Sequence, residues 1–181
     1  MTDVIVIGDG PGGLSAALFL AKNGKSVQVF GQDETPMHYA MLYNYLGIPE
    51  IKGSDFQKIA RDQVTKFGAT LHDQEVTRVE PTDDGFVVTT ADGSRHESKY
   101  VIIAEGKGLE LAAQLNLPRS QSGVEVDRNG RTAIERLYVV GRSTRINRSQ
   151  AIISAGEGAA AALDILSTEA GRDVHDFDTV K

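Results

Sequence analysis

The residues best suited to chemistry lie near the start of the chain, where Gly8-Asp9-Gly10-Pro11-Gly12-Gly13 fits the pattern G-x-G-x-x-G. Such a run binds a dinucleotide when it follows a strand and opens a helix. Its first glycine permits a tight turn, its second lets backbone approach a pyrophosphate, and its third lets helix and strand pack closely. The free N–H groups of the helix N-terminus then face the anion. Both flanks agree with this reading. Val4 to Ile7 is a short apolar run, a helical stretch follows from about Gly12 to Asn23 and stops at Gly24, and a second strand runs through Val27, Val29 and Phe30. A glycine-rich turn that binds nothing is the bland alternative, and the loop alone would also permit an NAD(P) domain without flavin.

Other candidate residues gather around that loop. An acidic residue usually ends the second strand and binds a ribose hydroxyl, yet Phe30 is followed by Gly31-Gln32. Gln32, Asp33 or Glu34 could replace it from the loop, or each could simply be solvated. Asp9 sits awkwardly beside a pyrophosphate and is expected to point its carboxylate to solvent. His38, Tyr39 and Tyr43 lie on the next loop, where loop packing competes with any role in tuning a ligand. His72, His96 and His175 have no metal-ligand spacing and are expected at the surface. The chain has no cysteine, which removes disulfides, thiolate metal sites, cysteine nucleophiles and dithiol relays together. No G-x-S-x-G elbow is present, so a Ser-His-Asp hydrolase is excluded.

The elements that must hold these residues can be read from pattern and punctuation. Thr35 to Ile51 is a long ordered loop. Ser54 and Gln57 form a capping box before a helix with Phe56, Ile59, Ala60, Val64 and Phe67 on its apolar face, ended by Gly68. Ala69 to His72, Val76 to Val79, Phe86 to Thr90 and Tyr100 to Ala104 read as strands. Turns at Asp83-Asp84-Gly85 and Asp92-Gly93 imply a small antiparallel excursion. Leu109 to Leu115 is a short helix, Pro118 to Gly123 a linker or splice point, Leu137 to Val140 a strand, and Gln150 to Ser167 a buried, alanine-rich helix. The expected organisation is one α/β domain over residues 1–170 with a polar tail at 171–181.

The bulk properties bound the partners. A formal net charge of −6 leaves no basic footprint for nucleic acid, and Arg142, Arg145 and Arg148 are too few to reverse that. No apolar run approaches the roughly 20 residues that span a bilayer, and Met1-Thr2-Asp3 lacks the basic start of a secretory signal. A cytoplasmic protein without membrane partners is expected.

Seven pieces, in order, resemble the FAD domain of the low-molecular-weight thioredoxin reductases. They are Gly8 to Leu14, the Phe30-Gly31 strand end, Tyr43 to Gly47 (the family's E-N-Y/W-P-G), Lys66 to Ala69, Val101 to Gly106 (I-I-A-T-G), Tyr138 to Gly141, and Gln150-Ala151 through Gly158 (Q-A…S-A-G-x-G). The resemblance implies a three-layer FAD/NAD(P)-binding, Rossmann-like fold with a central parallel sheet. It also implies FAD held in extended form. The pyrophosphate would lie at Gly8, Gly10 and Gly13, with Pro11 and Gly12 in the same loop. The adenosine would lie near Gly31-Gln32 and the backbone of Glu75-Val76, and the isoalloxazine near Asn44 and the backbone of Gln150-Ala151. Ala104 and Gly106 would line the site, and Gly141 would approach the ribityl chain. Family members dimerise largely through this domain, so a homodimer is implied.

The departures matter as much. The family inserts an NADPH-binding domain carrying a Cys-x-x-Cys pair where this chain has only about Leu117 to Gly123, so reduction of thioredoxin by that mechanism is not expected. A minimal flavin oxidoreductase served by an electron-transfer partner, or a non-enzymatic FAD module, fits instead. The family's Asp after Gly141 is Arg142 here, and the Thr of A-T-G is Glu105. Arg142 therefore has two readings, pairing with the pyrophosphate or pairing with Glu105, and loss of the Asp also leaves weak FAD binding open.

Overall fold

Residues 1–180 are described by a computed structural model. Strand β1 (Thr2–Ile7) turns Val4 and Val6 to one core and Ile5 and Ile7 to another. A strand covered on both faces must be apolar throughout, which is why this run does not alternate. Helix α1 (Pro11–Lys22) and strand β2 (Val27–Gly31) complete the first crossover, β1 and β2 pairing in parallel from Val4–Val27 to Ile7–Phe30.

A 3₁₀ turn over Pro36–Tyr39 and the pair β3 (Met41–Leu42) and β4 (Ile51–Lys52) order the long loop. Helix α2 spans Gly53–Lys66. Strand β5 (Thr70–Asp73) is followed by β6 (Val76–Pro81), β7 (Phe86–Thr90) and β8 (Arg95–Ile103). Helix α3 (Glu110–Gln114), the hairpin of β9 (Arg119–Ser120) and β10 (Gly123–Val124), and strand β11 (Leu137–Val139) come next. A 3₁₀ turn over Gly141–Ser143 and helix α4 (Ala151–Ala170) close the fold.

The main sheet runs β5-β2-β1-β8 in parallel. Along its other edge β8 pairs twice: Arg95–Ser98 with antiparallel β7, and Val101–Ile103 with parallel β11. One core joins α1, α4 and Val64 of α2 to the face bearing Val4, Val6, Val29 and Ile102. The other joins Leu111 and Ala112 of α3, with Val79, Phe86 and Val88, to the face bearing Ile5, Ile7, Phe30 and Ile103. The α/β fold and the antiparallel excursion are thus as expected.

Four local expectations are corrected. The capping box does not form: α2 begins at Gly53 after Lys52 with no side-chain cap, so Ser54 lies inside the first turn and Gln57 is fully buried elsewhere. Ile59 of α2 and Phe67 at its C-cap are exposed, because the buried stripe runs through Gly53, Gln57 and Val64. Pro118 to Gly123 is a paired hairpin rather than a bare linker. Finally, α4 is 20 residues long and apolar enough by length and composition to cross a bilayer. Here it packs along α1, with Ala161, Ala162, Ile165 and Leu166 in the core and its acidic side chains engaged by Arg131, Lys99 and Arg145. Beyond α4 the chain is irregular and mostly exposed, and it is pinned where Asp176 bonds Lys22 at 2.6 Å and Val174 joins the core. Lys181 lies outside the described residues.

Candidate functional site

The carboxyl ends of β1, β2, β8 and β11 open into a cleft of about 740 Å³, the place where open α/β sheets hold ligands. Backbone bonds continue the sheet to its rim: Gly8 N–H donates to the Phe30 carbonyl at 2.7 Å, and Ala104 N–H to the Ile7 carbonyl at 2.7 Å. Gly8 has φ of +102°, and a Cβ there would stand 2.3 Å from the Ala104 carbonyl oxygen. No side chain fits between the two loops, so β1 and β8 can release their chains in diverging directions only through a glycine.

Gly8, Gly10, Pro11 and Gly12 line one wall. Gly10 is the N-cap of α1 and Pro11 the first helical residue, with no side-chain cap and no acidic residue in the first turn. The helix thus presents its unpaired N–H groups and positive dipole end to the cleft. Gly13 does not line it, because its Cα packs on the Gly8 carbonyl, where a Cβ would fall 1.9 Å away. Its part is the close approach of helix to strand.

Gly31, Gln32, Glu75 and Val76 line one end of the cleft, and Ala104, Gly106, Gly141 and Arg142 its middle. Gln150 and Ala151 lie at the start of α4, where Asn44, exposed and outside the lining, donates to Gln150 Oε1 at 3.1 Å. The sequence-derived residues therefore converge on one surface, with Gly13 one layer behind it and Asn44 exposed beside it. Tyr39 and Tyr43 are outside it and strongly exposed, while His38 turns to the Asp33 carbonyl at 2.7 Å.

The acidic residues near the cleft behave differently from expectation. Asp9 points away from solvent and is only 5% exposed. Its Oδ2 accepts from the Asp33 backbone N–H at 3.0 Å and pairs with Arg61, whose other arm binds Asp73 at 2.6 Å. The Gln57 amide donates to the Asp9 carbonyl. Burial pushes the Asp9 carboxyl above its ordinary pKa, against the pull of Arg61.

Glu105 is not the partner of Arg142. It accepts from the N–H groups of Leu111 at 2.9 Å and Ala112 at 3.1 Å, and so caps α3. Burial raises its pKa, with those donors opposing. Arg142 is left without an ion pair among the described residues, and its Nε is buried without a hydrogen-bond partner. Its turn is held instead by Glu157, which accepts from Gly141 N–H at 2.8 Å and Thr144 at 3.1 Å and pairs with Arg145.

Two histidines depart from the surface expectation. His72 stacks on Phe30 at 4.6 Å and His96 packs against it at 4.7 Å. Both Nε2 atoms are buried without partners, and burial together with His96 lowers the His72 pKa. A second, larger cleft of about 840 Å³ lies beside the β9–β10 hairpin. It gathers neither the glycine loop nor the ends of β1 and β2, and its Arg145 and Glu157 satisfy each other.

Residues 2–53 and 47–159 match the family model described as pyridine nucleotide-disulphide oxidoreductase. The chain belongs to that family. Its members are flavoproteins. A ferredoxin–NADP reductase of Levilactobacillus brevis is 29% identical over 167 residues, covering 88% of this chain and 47% of that protein. A thioredoxin reductase of Streptomyces clavuligerus is 34% identical over 125 residues, covering 66% of this chain and 38% of that one. The chain therefore spans about half, or less, of the length of these curated relatives. Among solved structures, a thioredoxin reductase from Streptococcus pyogenes superposes with a TM-score of 0.88 at 16% identity, covering 94% of this chain and 99% of that one. One from Gloeobacter violaceus gives 0.87 at 15%, covering 99% of each. These likenesses establish the Rossmann-like FAD-domain fold.

Proposed function

We propose that this cleft binds FAD in extended form and that the chain works as a minimal flavin-dependent oxidoreductase whose electron donor or acceptor is a partner protein. The observation that carries the reading is that two positive groups line one cleft: the uncapped N-terminus of α1 and the guanidinium of Arg142, which has no ion pair among the described residues. An anion between them satisfies both, and a pyrophosphate is the anion that the glycine loop admits.

The remaining residues fit the rest of the molecule. Gly31, Gln32 and the backbone of Glu75-Val76 would hold the adenosine. Gln150, oriented by Asn44, and the backbone of Ala151 would hold the ring, and Gly141 would give room for the ribityl chain. FAD supplies two-electron redox chemistry when bound. The protein supplies position, a charge-matched pyrophosphate site and a wall of four strand ends. No dithiol relay can run through a chain without cysteine, so this reading separates the activity from that of a thioredoxin reductase. It also carries the expectation of a cytoplasmic homodimer that engages neither nucleic acid nor membrane.

The test is a visible spectrum of purified protein, followed by chromatography of the heat-released supernatant against FAD, FMN and NAD(P). Yellow protein releasing FAD supports the reading. Colourless protein that takes up no FAD on reconstitution rejects it. Flavin that no electron-donor protein reduces would favour a non-enzymatic FAD module.

A further inference from the structure

The second strand of a dinucleotide-binding unit usually ends in a carboxylate that reads the ribose. Here β2 ends in Gly31, and the structure shows what occupies the space. A Cβ on Gly31 would lie 2.3 Å from Asp9 Cγ and 2.4 Å from its Oδ1. The Asp9 carboxylate thus sits over the Gly31 Cα, where the side chain of an acidic strand end would start. The glycine loop has delivered the carboxylate from the other side, and Gly31 is the residue that makes room for it.

Its orientation is set by its neighbours. Oδ2 is taken by the Asp33 N–H and by Arg61, and the Asp9 carbonyl is held by the fully buried Gln57. Oδ1 has no hydrogen-bond donor from another residue among the described residues and is not among the fully enclosed, partnerless atoms. Asp9 lines the cleft, as do Gly31 and Gln32. One carboxylate oxygen is therefore fixed by protein, and the other, on a residue that lines the cleft, takes no donor from another residue. Arg61, the cation paired with Asp9, is bridged to Asp73 as well, so that each of its terminal nitrogens already meets a carboxylate.

We propose that Asp9 is the ribose-reading residue of this cleft: Oδ1 accepts from a hydroxyl of an unmodified adenosine ribose, and the carboxylate charge rejects a 2′-phosphate. The inference rests on the dinucleotide reading above and adds a specificity to it. FAD, ADP and other adenosine nucleotides with a free 2′-hydroxyl fit; 2′-phosphorylated nucleotides do not.

The experiment is calorimetric titration of nucleotide-free protein with ADP, 2′-deoxy-ADP and ADP bearing a 2′-phosphate, in the natural protein, Asp9→Ala and Asp9→Asn. A charge-assisted hydrogen bond predicts that the natural protein prefers ADP over 2′-deoxy-ADP by about 10-fold or more. In Asp9→Ala that ratio falls to about one. Because the ratio is taken within one variant, it is independent of how much of the sample is folded. Should Asp9→Ala not fold, Asp9→Asn keeps the shape without the charge and must bind the 2′-phosphorylated ligand at least tenfold better than the natural protein does. A preference that survives in Asp9→Ala, or an unchanged 2′-phosphate affinity in Asp9→Asn, overturns the role of Asp9. Natural protein that binds ADP and FAD but ignores loss of the 2′-hydroxyl overturns Asp9 alone. Protein that binds neither ligand overturns the FAD reading with it.

Discussion

Two glycines on α4, two positions apart, should respond to the same substitution with opposite signs. A Cβ on Gly158 would lie 2.0 Å from the Gly12 carbonyl oxygen and 3.0 Å from the Ala16 nitrogen, both backbone atoms of α1. Ordinary contact begins at 3.4 Å, so α4 and α1 must separate by about 1.4 Å at their closest point to admit a methyl group. Overpacking of a rigid core costs about 1–3 kcal/mol, and backbone obstruction places this case at the upper end. The helix-propensity gain of Gly→Ala returns roughly 1 kcal/mol, leaving a net loss of about 2 kcal/mol. A methyl group on Gly156 would meet nothing within 4 Å, so that position should show the propensity gain alone. For a domain of this size about 1 kcal/mol moves Tm by roughly 2–4 °C. Calorimetry should then find Gly158→Ala melting about 4–8 °C below the natural protein and Gly156→Ala about 2–4 °C above it. If Gly158→Ala melts at or above the natural protein, the two helices are not held at backbone contact. The same displacement moves the first turn of α1, so FAD affinity should fall in Gly158→Ala and hold in Gly156→Ala.

Arg142→Gln should weaken FAD binding by about 10- to 100-fold and flatten its salt dependence, as loss of a charge-assisted contact to phosphate predicts; equal affinities across a salt series in both proteins would refute it. Arg61→Ala leaves Asp9 buried without its cation and should cost about 3 kcal/mol in urea denaturation; a loss below about 1 kcal/mol would show that the bridge is not buried in effect. His72 is held below the ordinary histidine pKa by burial and by His96. It stays neutral in the fold while the unfolded chain protonates near pH 6.5, so stability present above about that pH is lost as pH falls through the window. Tm measured from about pH 7.5 to 5.5 should decline less in His72→Gln than in the natural protein, and parallel curves would refute the assignment.

The β1-α1-β2 unit is legible in sequence because every signal in it is local: an apolar run, a glycine turn, helical spacing and a glycine stop. The same holds for the order of the later strands and for most of the cleft lining, which follow motifs whose glycines are required by their own backbone. What cannot be read is decided by partners far away in sequence. Ser54 and Gln57 have the spacing of a capping box, yet Gln57 is recruited 48 residues back by the Asp9 carbonyl. A solvent-facing Asp9 is the natural expectation because the attraction of Arg61, 52 residues onward, leaves no local trace. Glu105 and Arg142 have opposite charges at one site, and a pairing between them is reasonable until α3 offers its N–H groups first. His72 and His96 carry no spacing signal because the residue that joins them, Phe30, lies on another strand.

The β9–β10 hairpin has an engineering consequence. Its exposed turn, Gln121-Ser122, is the tip of a clasp closed by the pairing of Ser120 with Gly123 and of Arg119 with Val124, and at its base by the Glu125 N–H on the Pro118 carbonyl at 2.8 Å. A guest domain spliced into that tip would find its two attachment points already side by side. Its cost to the host would be a loop closure that grows only by about 0.6 kcal/mol for each doubling of length. Guests whose own termini are adjacent should therefore be accepted as whole cassettes, with the sheet, the glycine loop and the cleft left in register beneath them.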